Sequence, residues 1–344
     1  MERLPDGLAQ RLCAWYDAGH RDLPWRQDKE PYHVWLSEIM LQQTRVEAVK
    51  SYYTRFLSEL KDVQALAQCD PDRLTKLWEG LGYYSRVRNL QKAAQVIMER
   101  CGGMFPQAYE DVRALPGIGD YTAGAICSIC FELPTPAVDG NVLRVLSRVM
   151  EDGAPVTSQK TKAAYREALL PLYEENPRGT LTQALMELGA TVCLPNGAPR
   201  CEACPIRPLC RAGTHGTWEK YPVKEAKKAK REEEKTVFHL VCEDCLAVRK
   251  RPRAGLLAGV WELPNVEGKL DAAQALSYVE EAGCEPAELL KSVDRAHIFT
   301  HIVWRMRCYY IVCRRKAGQF VWADAQRRKE DVALPTAFRM FVEE

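Results

Sequence analysis

No apolar run in the 344-residue chain is long enough to cross a membrane. The N-terminus, "MERLPDGLAQRLCAWYD", lacks the uninterrupted apolar core of an export signal and carries Asp6 and Asp17. It is expected to be neither a signal nor a transit peptide, which makes the cytoplasm, or a nucleoid within it, the expected location. Net charge is nearly absent too, at +2. That argues neither for nor against a nucleic-acid partner, because a local basic patch can sit inside a balanced total. No internal repeat and no low-complexity tract is present, so the chain is an ordinary globular one. Cysteine is abundant, with fourteen residues. In a long chain without an export signal these point to metal binding or burial rather than to disulfides.

Hydrophobic residues make up 47% and charged residues 27%, and the length suits two domains, each with its own core. Residues 1–218 read as nearly all helix. "HVWLSEIMLQQTRVEAVKSYYTRFL" (33–57) and "RVRNLQKAAQVIMER" (86–100) have apolar residues at helical spacing, the second stopping at Gly102-Gly103. Further helices are predicted over 120–131, 141–150, 160–174 and 180–192. The composition then changes. "EKYPVKEAKKAKREEEK" (219–235) is dense in charge and reads as a linker. Residues 236–344 carry β-branched and aromatic runs, "TVFHLVCEDCLAVRKR" and "WRMRCYYIVCRR", with a helix near 271–282, and read as an α+β domain.

Cys193, Cys201, Cys204 and Cys210 have seven, two and five residues between them, in a Pro/Gly-rich loop that follows a helix. Four thiols within eighteen residues can turn inward on one centre, and thiolates suit zinc or an iron–sulfur cluster. Zinc usually takes two CxxC pairs. Only one is present here, which tilts the reading toward [4Fe–4S]. A second CxxC, Cys242 and Cys245, has no partner pair nearby and lies in an apolar strand-like run, so it reads as buried. Cys127 and Cys130, on an alanine-rich helix, read as packing.

Two carboxylates stand in contrasting surroundings. Around Glu38, the helical neighbours Val34, Trp35 and Leu41 are apolar, so its carboxyl faces or borders the core. Desolvation there raises a carboxyl pKa and lets it hold a proton near neutral pH. Periodicity alone favours an ordinary boundary glutamate. Asp139, in "PAVDGNVLRVLSRV", stands just ahead of a helix as an N-cap, where amide donors and the helix dipole are expected to keep it ionised. Alone it reads as a cap. Together, one protonated and one anionic carboxyl are what glycosidic bond cleavage needs. Between them lies "RALPGIGDYTAGAI" (113–126). Leu115, Gly117 and Gly119 form a hairpin ahead of a helix, with backbone N–H groups available to an anion such as phosphate.

The LPGIG hairpin, VDGN some twenty residues on and the four-cysteine loop resemble the helix-hairpin-helix DNA glycosylase superfamily. Within it, "WLSEIMLQQT", "GLGYYSRVRNL" and "GIGDYTAGA" are similar to MutY-type adenine DNA glycosylases, and the similarity covers almost the whole chain. The resemblance implies a helical 1–218 glycosylase domain with a [4Fe–4S] loop over 193–210, a 219–235 linker and a smaller α+β Nudix-like domain over 236–344. It implies a hydrolase that removes adenine paired with 8-oxoguanine or guanine in duplex DNA. Glu38 matches the acid that protonates adenine N7, and Asp139 the carboxylate that stabilises or captures the sugar cation. Tyr121 and Asn141 match residues that hold the acid and the nucleotide. Arg26 of "LPWR" matches a residue lining the adenine pocket, while Gln43 and Tyr83 match side chains that wedge into the duplex. Arg200, Arg207 and Arg211 are the phosphate candidates of a basic cluster loop.

Endonuclease III-like lyases carry a lysine where this chain has Tyr121. A phenol cannot form a Schiff base, so a monofunctional enzyme that leaves an abasic site is expected. In the second domain, "GLLAGVWELP" resembles a Nudix fold of the MutT type. The helix in "EGKLDAAQALSYVEEAG" has Leu276-Ser277 where an Arg-Glu pair would be expected, so nucleotide hydrolysis is not. "HIFTHIVW" matches the loop that reads 8-oxoguanine through Phe299, Thr300 and His301, with threonine where serine is commoner. Read without the family, these three are a strand end. The first cysteine spacing departs from the family's, seven residues instead of six. A DNA-binding sensor with a dead active site is the alternative from another class, and the presence of both Glu38 and Asp139 argues against it. Nothing in the sequence marks an obligate dimer interface, so a monomer is expected, with no membrane partner.

Overall fold

A computed structural model describes residues 2–225 and 229–343. No helix among them is long and apolar enough to cross a membrane. The chain forms two compact units. One holds 1–67 and 90–226; the other holds 68–89 and 227–344. The boundary falls inside the helix Ser85–Cys101.

The first unit is helical. Helices are found at Asp120–Phe131, Gly140–Met150, Gln159–Glu175 and Arg178–Thr191, where the spacing predicts them. The stretch 33–57 is not one helix. It divides into Pro31–Leu41 and Val46–Glu59 at a turn where Gln43 has φ +58°. One core cluster of this unit is built from Leu8 and Leu12 of Leu8–Gly19, Val142 and Leu146 of Gly140–Met150, and Leu181, Leu185 and Leu188 of Arg178–Thr191. Their three- and four-residue spacing puts each set on one helical face. Cys127 is fully buried and Cys130 half-buried in the Asp120–Phe131 helix, in line with packing.

Two of these helices are drawn together by a missing side chain. A Cβ on Gly189 would lie 2.4 Å from the Asn141 Cβ, closer than any real contact. Gly124 plays the same part against the 136–137 backbone, with Pro136 O 2.8 Å from where its Cβ would be.

The second unit is a mixed sheet in the order β3-β2-β1-β6-β5, with β4 on β1 and β7 on β2. The strands are β1 (Arg231–Cys242), β2 (Cys245–Lys250), β3 (Trp261–Glu262), β4 (Asn265–Glu267), β5 (Pro286–Ile298), β6 (Ile302–Cys313) and β7 (Val321–Ala323). β1 and β6 run parallel, paired from Arg231↔Ile302 to Val241↔Val312. The expected helix is Ala272–Glu281, opened by a capping box in which Asp271 and Gln274 exchange hydrogen bonds.

Two features depart from the expected organisation. The charged stretch 219–235 is not all linker: Arg231 to Lys235 is the first half of β1. Its charges are absorbed sideways by the neighbouring strand, Glu232 by Arg305 at 2.7 Å and Glu233 by the Trp304 indole N–H at 2.8 Å. Residues 226–228 of that stretch lie outside the described residues. Residues 68–89 belong with the C-terminal strands rather than with the helical stretch that surrounds them in sequence. Hydrogen bonds make this attachment: Glu79 accepts from the Leu334 N–H (2.7 Å), Lys76 donates to Val332 O (3.1 Å) and Arg88 to Ala258 O (2.7 Å).

A Gly189→Ala variant tests the close helix contact. Overpacking of this kind costs about 1–3 kcal/mol. Gly19→Ala, whose Cβ would have nothing within 4 Å, is expected to be neutral or slightly stabilising. Thermal unfolding of the two variants should move Tm in opposite senses, or leave the Gly19 variant unmoved.

Candidate active site

One cavity of about 1550 Å³ gathers most of the residues singled out from the sequence of the helical unit. Its walls include Glu38, Tyr121, Asp139, Asn141 and Arg26, with Gln43, Gly117 and Gly119 also lining it. Leu115 does not line it; its side chain is buried under the hairpin.

Glu38 is 6% exposed, in the middle of the Pro31–Leu41 helix. Burial pushes its carboxyl up to about 7, and the neighbouring Asp139 adds to the rise. The hydrogen bond donated by the Tyr121 hydroxyl to Glu38 Oε2 and the Arg26 charge oppose it. Near neutral pH the carboxyl therefore holds a proton for much of the time. The Tyr121 phenol is raised well above its ordinary value, first by burial and then by both carboxylates, so it remains a donor.

Asp139 caps Gly140–Met150 as expected, accepting from the Val142 N–H at 2.7 Å and from Asn141 Nδ2 at 2.7 Å. Burial opposes the expectation that these donors and the helix dipole keep it ionised. Burial raises the Asp139 pKa, and the Val142 and Asn141 bonds and the Arg144 charge only partly offset that rise. Both carboxyls are thus raised, but the donors surround Asp139. Glu38 receives a single phenolic bond.

Asn141 is itself held. Its Oδ1 accepts from Arg144 Nη2 at 2.8 Å, and the same buried guanidinium reaches Gly189 O (2.8 Å) and Cys193 O (2.8 Å). Asp139, Asn141, Arg144 and the start of the cysteine loop are therefore one hydrogen-bonded chain. Arg26 donates through Nη2 to Glu187 at 2.8 Å and through Nη1 to Arg21 O at 3.1 Å. Arg21 grips the same carboxylate by Nε (2.6 Å) and Nη2 (2.7 Å). Burial alone would raise the Glu187 pKa, but the two arginines bring it down to about 2. Arg21, Arg144, Gln183 and Glu187 were not singled out from the sequence. Gln183 and Glu187, four apart in the apolar run "TQALMELGA", share one helical face and could have been noticed. Their partners, Tyr16 (3.0 Å to Gln183 Oε1) and the two arginines, lie some 160 residues away and could not.

The hairpin turns at Gly117, whose φ of +79° favours glycine. Gly119 is extended, and a Cβ there would meet nothing within 4 Å. Its lack of a side chain leaves the approach to the Asp120–Phe131 N-terminus open. The first internal bond of that helix runs from Ala123 N–H to Gly119 O, so the preceding N–H groups have no acceptor within the helix.

All four cysteines of the 193–210 loop line a second, small cavity of the helical unit. The Gly213 N–H approaches Cys210 Sγ at 3.3 Å and Arg148 Nη1 approaches Cys193 Sγ at 3.3 Å. Donors aimed at sulfur suit thiolates. Among the described residues, no three or more His, Cys, Asp or Glu side chains converge tightly enough to hold a single metal ion.

In the sheet unit, Phe299, Thr300 and His301 form the turn between β5 and β6, closed by the Phe299 N–H to Ile302 O at 2.8 Å. Thr300 Oγ1 is 2.9 Å from the Tyr83 hydroxyl. Tyr83, at 46% exposure and φ +46°, belongs to this unit rather than to the helical one. Gln43 and Tyr83 are thus both non-glycine residues in the left-handed region, which is uncommon and clusters at functional sites.

A family model described as "HhH-GPD superfamily base excision DNA repair protein" matches residues 36–171, and one described as "NUDIX domain" matches 236–344. The adenine DNA glycosylase of Mus musculus is 34% identical over 96% of this chain and 77% of its own length. This chain belongs to the adenine DNA glycosylase family. The adenine DNA glycosylase of Schizosaccharomyces pombe is 32% identical over 91% of this chain and 82% of its own. A solved thermostable thymine-DNA glycosylase superposes on 62% of this chain and 95% of its own, with a TM-score of 0.52 and 26% identity. The resemblance drawn from the motifs and the fold class expected from it hold.

The raised Glu38 pKa carries a stability signature. A carboxyl whose folded pKa lies above its unfolded one binds more protons when folded, so its contribution is lost as pH rises. A rise from 4.5 to about 7 makes that loss about 2–3 kcal/mol between pH 5 and 8. Glu38→Gln keeps an acceptor for Tyr121 and has no charge to bury. Its Tm should exceed that of wild type at pH 8 and converge with it at pH 5. Parallel Tm–pH curves would show that Glu38 is not desolvated.

Proposed function

We propose that this protein hydrolyses the N-glycosidic bond of adenine mispaired with 8-oxoguanine or guanine in duplex DNA, leaving an abasic site. The observation that carries this reading is the protonatable, buried Glu38 beside the amide-capped Asp139 in one cavity. Glu38 donates its proton to adenine N7, which turns the base into a neutral leaving group. Asp139 faces the sugar and offsets the cationic charge that grows at C1′ as the bond breaks. The Val142 and Asn141 donors hold its carboxylate in place, and Arg144 in turn fixes Asn141. Arg26 lines the base pocket. Tyr121 orients Glu38 and supplies no amine, so no Schiff base forms and the strand stays intact. The open hairpin at Gly117 and Gly119 receives backbone phosphate, and Gln43 and Tyr83 fill the gap left by the flipped base. Phe299, Thr300 and His301 contact the 8-oxoguanine.

Cys193, Cys201, Cys204 and Cys210 would hold a [4Fe–4S] cluster. A single zinc ion needs its thiolates about 2.3 Å from one point, whereas these four surround a cavity. When bound, the cluster would cross-link the loop and support its basic residues, Arg200, Arg207 and Arg211, against phosphate. The chain would work as a monomer in the cytoplasm or nucleoid.

Single-turnover reaction of a labelled duplex with adenine opposite 8-oxoguanine tests the proposal. Strand breaks are expected only after hot alkali, and Glu38→Gln should slow them by at least 100-fold, within the range of general acid catalysis. The wild-type rate should fall as pH rises through about 7, as Glu38 loses its proton. Breaks without alkali, with a borohydride-trapped adduct, would mean lyase chemistry by an amine. Adenine release by Glu38→Gln at the wild-type rate would remove Glu38 from the acid role.

A further inference from the structure

A row of four cysteines remains that neither the cavity nor the 193–210 loop uses. Cys242 ends β1 and stands directly opposite Cys245, the first residue of β2. The parallel ladder of β1 and β6 reaches Val241 and Val312. One residue further on lie Cys242 and Cys313, the last of their strands. Cys284 precedes β5, and its thiol is within hydrogen-bonding reach of Cys313. All four occupy one face. Cys242, Cys284 and Cys313 share an apolar cluster with Phe238, Leu240 and Ala247. Cys245, two residues before Ala247 on the same strand, points to the same side.

Core packing explains Cys242, Cys284 and Cys313, each no more than 4% exposed. It does not explain Cys245, which is half-buried beside the turn and has the Lys316 ammonium at its thiol. Lys316 is held there by Glu243 at 2.5 Å, a turn residue between the two cysteines. Reactive cysteines sit in partly exposed, electropositive surroundings, and Cys245 is the one of the four in such a place. A shared metal ion does not fit, since no three such ligands among the described residues converge on one point. The Cα atoms of residues opposite one another in an antiparallel pair stand about 4.5–5.5 Å apart, within the roughly 4.4–6.8 Å that a disulfide spans.

We propose that Cys245 and Cys242 are a thiol–disulfide site that reacts with a low-molecular-weight disulfide of the glutathione class. The Cys245 thiolate attacks one sulfur of glutathione disulfide, forms a mixed disulfide and expels one glutathione thiolate. Cys242 then gives up its proton and attacks the Cys245 sulfur, which closes the protein disulfide and expels the second glutathione. Two protein thiols are oxidised, one disulfide is reduced, and the two thiol protons end on the two glutathiones. No other oxidant enters. The proposal is independent of the glycosylase reading.

One tryptic peptide, residues 236–249, contains both cysteines and no other. The full-length protein with its cluster loaded is titrated anaerobically with glutathione disulfide, alkylated, digested and weighed. The expected result is loss of both alkylation sites and a peptide lighter by two hydrogens, reversed by dithiothreitol. Cys245→Ser should abolish the reaction, and Cys242→Ser should stop it at a glutathione adduct on Cys245. A wild-type peptide that stays fully alkylated in excess glutathione disulfide would overturn the proposal. So would a wild-type adduct on Cys245 that Cys242 never resolves. Because the wild-type mass decides the matter, a variant that failed to fold would not obscure it.

Discussion

A single absent side chain brings two helices into contact, and much of the active site hangs on that contact. At Gly189 the Arg178–Thr191 helix touches Asn141 at the start of the Gly140–Met150 helix, with no room for a methyl group. The contact brings the Gly189 carbonyl to Arg144, which binds it and Asn141 with the same nitrogen. Asn141 then holds Asp139, and the other side of Arg144 holds Cys193. A shift of a few tenths of an ångström at Gly189 would therefore move Asp139 and the first cysteine together.

The same cavity holds two carboxyls that differ in what surrounds each. Glu38 sits among apolar neighbours and receives one phenolic hydrogen bond, so its proton stays available. Asp139 sits at a helix N-terminus among several donors. Burial raises both, so the contrast comes from hydrogen bonding and not from burial. A third carboxylate nearby, Glu187, is the opposite case: two guanidiniums keep it ionised, and it in turn fixes Arg26.

Local pattern was enough wherever a feature depends on neighbours in sequence. Helical spacing placed Asp120–Phe131, Gly140–Met150 and Arg178–Thr191 to within one or two residues, and the cap at Asp139 followed from a carboxylate just before an apolar helical run. The failures are instructive. Residues 231–235 looked like linker because five charged residues in a row suggest solvent, yet they pair along β6, whose Arg305 forms an ion pair with Glu232 and whose Trp304 indole donates a hydrogen bond to Glu233. Residues 68–89 looked like part of the helical half, but their hydrogen bonds go to residues about 170–260 positions away. No window of sequence contains such partners.

By itself the sequence determined most of the element types, the cysteine spacing and the residue chemistry available at each motif, because these follow from side-chain periodicity and composition. The tertiary structure decided how that chemistry is used. The Glu38 carboxyl is raised to about 7 only because folding removes water from it and sets Asp139 close by, since a pKa responds to desolvation and to charges through space, neither of which chain order contains. Likewise Tyr83 met Thr300, 217 positions on, and Cys242 met Cys313 through a strand register that distant pairing alone sets.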